Sequence, residues 1–172
     1  MPSPAFMTIQ GETQGNITAG TFTEESVGNT WREGHEDETM TQSFEHVITL
    51  PRDPQSGQPT GQRVHRPLKV VKAIDKCSPM LMRALTSGEK LPKVELKLYR
   101  PSAKSGEEHY FTLILEDAII TNIAQKMVHA QMEGSAHLVP EEEVEFTYRK
   151  IIKTHEIAST SESDDWRSAA KA

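Results

Sequence analysis

The chain has 172 residues, enough for one domain with a core and short for two. Its 19 basic residues against 25 acidic ones give a net charge of −6, and the basic residues are scattered, which excludes a dense cationic surface for nucleic acid. A single cysteine, Cys77, excludes an intramolecular disulfide and points to folding in a reducing compartment.

The opening MPSPAFMTIQGETQG has neither the basic leader nor the long apolar stretch of a secretory signal. No later segment supplies the ~20 apolar residues of a membrane helix. The expectation is synthesis in the cytoplasm without a signal peptide and no membrane insertion, with export of the folded protein left open.

Period-two alternation dominates the sequence, so a mainly β protein is expected. Ala5 to Gln10 reads as a first strand, Gly11 to Thr21 as turn material, and a second strand is expected near Thr21 to Val27. Phe44, His46, Ile48 and Leu50 alternate with Glu45, Val47 and Thr49, which predicts a strand with one buried face ending at Pro51. The segment from Pro51 to Pro67 holds four prolines, two glycines and almost no large apolar residue. It is expected as an extended loop projecting from one end of the sheet, where Arg63, His65 and Arg66 could hold a carboxylate.

Gly61 to Arg100 reads strand, short helix, strand. Ser78 is the expected N-cap, Pro79 suits the first turn, and Gly88 suits a left-handed stop, so a helix is predicted over Pro79 to Ser87. Leu81, Ala84 and Leu85 share one face, the stripe of a helix docked on a sheet. Val94, Leu96 and Leu98 alternate with Glu95 and Lys97. His109 to Ile123 is rich in β-branched residues, and the acidic pair Glu116 and Asp117 inside it predicts a bend or bulge that keeps both carboxylates solvated. Val144, Phe146 and Tyr148 mark a further half-buried strand. Residues 159–172, STSESDDWRSAAKA, form a polar tail expected to be mobile until docked, with Trp166 as its one apolar anchor.

Chemical signatures are missing. His35-Glu36 begins like a zinc-protease helix, but Thr39 stands where the second histidine belongs, and the seven histidines form no i, i+4 pair. There is no GxxxxGK[ST], GxGxxG or GxSxG. Cys77 reads as a small buried thiol, and Glu116 with Asp117 as a solvated turn, outweighing a catalytic pair. No catalytic residue, metal or cofactor is therefore expected.

Several longer segments do carry a resemblance: GETQGNITAGTFTEESVGN, GHEDE, DPQSGQPTGQRVHRPLKV, LPKVELKLYRP, YRKI and SDDWR. Together they resemble the haemolysin-coregulated protein family, Hcp, the tube-forming component of type VI secretion systems, over nearly the whole length. One departure is Ile152-Lys153, where related sequences tend to have an Asp-Trp pair after the final strand. The resemblance implies a β-barrel of two antiparallel sheets over residues 1–158, with one short α-helix on its side and an extended loop at 51–67. It implies six copies in a ring, rings stacked into a tube, secretion with spike and sheath or baseplate proteins, and effector proteins in the lumen. On that view Asp53, Gln55, Gln58, Gln62, Arg63 and His65 of the loop are candidates for ring stacking, with exposed strand edges for subunit contact. Asp164, Asp165, Trp166 and Arg167 of the tail are candidates for a subunit contact. A monomeric β-barrel that binds a small ligand or peptide is the alternative class.

Overall fold

The expected strands form over most of the chain. A computed structural model describes residues 3–104 and 106–168. In chain order the elements are β1 (Ala5–Gly11), β2 (Gly15–Asn16), α1 (Glu24–Val27), β3 (Thr39–Glu45), β4 (Ile48–Thr49), β5 (Val64–His65), β6 (Leu68–Ala73), α2 (Ser78–Ser87), β7 (Leu91–Ser102), β8 (Gly106–Lys126), β9 (Glu141–Thr147), β10 (Lys150–His155) and β11 (Thr160–Asp165).

All pairings are antiparallel, and the order β8-β7-β1-β3-β6-β9 returns to β8, closing a barrel. The long β8 makes the closure possible. Its first half lies between β7 and β10, and from Ile119 onward it pairs with β9. The strand changes partner where Asp117 takes a positive φ of 52°, a conformation that aspartate tolerates better than most residues. The predicted bend is therefore present. Glu116 and Asp117 stay partly solvated and face Arg149 at 3.6 and 2.8 Å.

Alternation puts Met7, Ile9, Val94, Leu96, Leu115, Val144 and Phe146 into one core. Each such side chain contributes about 1.5–3 kcal/mol on burial. α2 packs on β8 with Leu81 and Ala84 buried and stops at Gly88, whose φ of 66° is the left-handed cap expected. Its start differs from the expectation. Cys77 occupies the N-cap position, while buried Ser78 is the first helical residue; its hydroxyl donates to Glu142 Oε1 at 2.6 Å and accepts the Asp75 N–H at 3.0 Å. Asp75 Oδ1 accepts the Cys77 N–H instead. Lys72, fully buried, reaches Glu142 at 2.8 Å and Asp75 at 2.9 Å, tying β6, β9 and the entry to α2 together.

Three further expectations are corrected. Residues 24–27 are a helical turn, not a strand: Thr23 sits extended at its N-cap, and Glu24 and Glu25 lie in the first turn, where the helix dipole favours them. The predicted strand from Phe44 to Leu50 is split. β3 buries Thr39 and Thr41 and ends at Glu45, whereas Phe44, Ile48 and Leu50 are exposed because no facing layer covers them. The tail is no mobile end over 160–165, where TSESDD pairs with β10 residue for residue. Residues 169–172 of that tail, and residues 1, 2 and 105 of the expected barrel domain, lie outside the described residues. With β11 as the last strand, Asp165 and Trp166 stand at its end, and the Ile152-Lys153 departure falls inside β10.

Candidate functional site: an arm and its anchor

The proline-rich segment is an ordered hairpin. At its root β4 pairs with β5, Ile48 opposite His65 and Thr49 opposite Val64, and the Arg66 N–H donates to Val47 O at 3.0 Å. Towards the tip, Thr60 N–H reaches Pro51 O at 2.9 Å and Asp53 N–H reaches Gln58 O at 2.8 Å. Asp53 closes the tip: its Oδ1 accepts the N–H groups of Gln55 and Ser56, each at 2.8 Å, and these bonds hold its carboxyl below the usual range. Gly57 supplies the positive φ, 72°, that the turn requires. No large apolar residue occupies the tip, so turn chemistry alone orders it.

The root is anchored on the end of the last strand. Arg63 grips Asp164 with Nε at 2.5 Å and Nη2 at 2.8 Å, and Nη2 also donates to the carbonyls of Asp165 and Ser168. His65 bridges Asp164 Oδ2 through Nε2 at 2.7 Å and the Tyr148 hydroxyl through Nδ1 at 2.7 Å. His46 Nε2 meets the same hydroxyl at 2.5 Å. A phenol has one proton, so Tyr148 donates to one imidazole and accepts from the other. Asp164, acceptor only, takes the N–H of His65 Nε2. A neutral His65 then accepts from Tyr148 at Nδ1, and Tyr148 accepts from His46 Nε2–H. This leaves His46 Nδ1 buried without a partner.

The surroundings set the electrostatics. The Arg63 hydrogen bonds hold the Asp164 carboxyl below its usual range. Burial, with Lys153 as a nearby positive group, lowers His46 to about 4, and burial pushes the Tyr148 phenol up. Trp166 stacks on His65 at 5.7 Å between ring centroids, and its Nε1–H donates to Tyr148 O.

The candidates read from the sequence thus divide. Gln55, Gln58 and Gln62 are exposed along the hairpin, Asp53 is engaged in the tip, and Arg63 and His65 hold the carboxylate they were expected to hold, supplied by Asp164 of the same chain. Trp166 packs within its own chain, Asp165 pairs with Arg149, and Arg167 is exposed. Arg66 is exposed and takes no part in the anchor. His46 and Tyr148 had no assigned role. The available signal was a polar-tipped residue in an otherwise apolar alternation. Elsewhere, burial raises the Cys77 thiol well above its ordinary range, matching the inert buried thiol expected.

Residues 6–155 match the family described as type VI secretion system effector, Hcp. The chain is 60% identical over 168 residues to the major exported protein of Pseudomonas aeruginosa, covering 98% of each. Among solved structures, a crystal structure of an Hcp protein is similar with a TM-score of 0.90 and 48% identity, over 95% of this chain and 99% of that one. The secreted protein Hcp3 from Pseudomonas aeruginosa is similar with a TM-score of 0.82 and 51% identity, over 96% of this chain and 99% of that one.

Proposed function

This chain belongs to the Hcp family of type VI secretion system effectors, exported tube proteins, and from that premise we propose that six copies close into a ring and that rings stack through the hairpin arm. The role is structural, without catalysis: the tube is expelled with spike, sheath and baseplate partners and shelters effector proteins in its lumen. The observation that carries the stacking role is an arm ordered and anchored by its own chain that still exposes large apolar residues. Leu50 is 52% exposed, and Ile48 and Val64 lie open beside it. A ring needs a second, different contact. The outer edge of β11, at the end of the sheet, is paired with no other strand among the described residues and suits the seam between neighbouring copies.

Deleting Gln55 to Gly61 tests the arm. Light scattering is expected to show rings intact, with tube growth weakened in electron micrographs. Tubes of unchanged length would remove the arm from the account.

A further inference from the structure

We infer that the loop formed by residues 127–140, on the rim of the barrel opposite the arm, is the seat that receives the arm of a second copy of this chain. The inference rests on the proposed stacking and names the surface on which the arm would land.

The topology sets the geometry. β6 begins at Leu68, directly after the arm, and ends at Ala73. β9 runs antiparallel to it, so Phe146 stands opposite Leu68 and Glu141 opposite Ala73. The Ile74 N–H then donates to Pro140 O at 3.2 Å. The arm leaves one end of this strand pair, and the 127–140 loop enters at the other.

The loop has the surface such a seat needs. Met127 is 72% exposed, and Met132, Leu138 and Val139 are also open to solvent. The backbone beneath them is a run of turns, with Met132 N–H to His129 O at 3.0 Å, Ser135 N–H to Met132 O at 3.1 Å and Leu138 N–H to Ser135 O at 3.0 Å. Its apolar side chains therefore lie on the outside of an ordered scaffold, and methionine adapts to irregular partners. An exposed apolar surface on each of two opposite ends is what one copy needs to cover another.

Charge favours the same pairing. Arg52 and Arg66 of the arm, and Glu133 of the loop, are exposed and form no ion pair among the described residues. The arm thus brings positive charge beside its apolar residues and the loop a negative one beside its own. Two different complementary surfaces on opposite ends make a head-to-tail contact, which propagates without closing unless a rotation brings the ends together.

The test places cysteines at Leu50 and Leu138 of the full chain, Leu50→Cys with Leu138→Cys. Cys77, buried, stays silent to oxidation. After oxidation of the assembled protein, non-reducing gels are expected to show a ladder of linked chains from the double variant and no species above a dimer from either single one. Tubes in micrographs without a ladder would overturn the assigned seat while leaving the tube reading intact. A double variant that stays a single subunit at every concentration, as the unaltered chain would then also have to do, would overturn both. Leu138→Asp provides an independent check. It is expected to keep rings and raise the concentration for half-maximal tube growth about tenfold, and an unchanged value would overturn the seat.

Discussion

Tyr148→Phe removes one oxygen from the anchor and no volume from the core. Tyr148 is only 1% exposed, and its ring lies in the apolar cluster while its hydroxyl is the node that His46 and His65 share. Loss of that hydroxyl removes two hydrogen bonds, at 2.5 and 2.7 Å, and leaves His65 Nδ1 buried without a partner. A typical hydrogen bond contributes about 1 kcal/mol net, and an unsatisfied buried group costs ~1–3 kcal/mol, so the docked arm should lose about 2 kcal/mol. Opening the arm exposes the histidines to water and relieves that cost, so the change falls on arm opening. A free-energy change of this size is roughly thirtyfold in the open population. Amide hydrogen exchange reads it directly: Arg66 N–H, bonded to Val47 O, is expected to exchange roughly thirtyfold faster, with the β1–β7 amides unaffected. Unchanged arm exchange, or equal acceleration throughout the barrel, would refute this reasoning.

Lys72→Met is expected to destabilise the barrel by about 3–5 kcal/mol, because Glu142 and Asp75 lose the cation buried between them; urea unfolding with a loss under 1 kcal/mol would contradict it. Acid should open the arm before it unfolds the barrel. His46 ordinarily titrates near 6.5 and sits at about 4 when docked, so the open arm binds the proton more tightly; docking is favoured above 6.5 and lost progressively as pH falls through about 4. Trp166 fluorescence in a Trp31→Phe background should report this loosening across that range, and a flat signal down to pH 4 would sink it.

Strands that bury one face were legible. β1, β7 and β9 carry the apolar alternation, and the interruption at Glu116 and Asp117 marked the bend in β8. What failed was burial without a facing layer. Phe44, Ile48 and Leu50 alternate as a core strand does, but the chain leaves the barrel after Glu45. β11 was invisible for the opposite reason: TSESDD is held by backbone pairing at the sheet edge and presents mostly open faces, so polarity there masks a strand. Ser78, a good capping residue, begins the helix without capping it, because Glu142, distant in sequence, claims its hydroxyl. The anchor was half legible. Arg63 and His65 suggested a carboxylate, and the tail offered Asp164, but nothing local joins residues so far apart until β10 and β11 fold back beside the arm.

Light scattering of the purified chain on a sizing column tests the central claim most directly. One subunit is 19.3 kDa, and a ring predicts six times that mass, about 116 kDa, with larger species growing as concentration rises. A mass of one subunit, constant across concentration, would contradict the account.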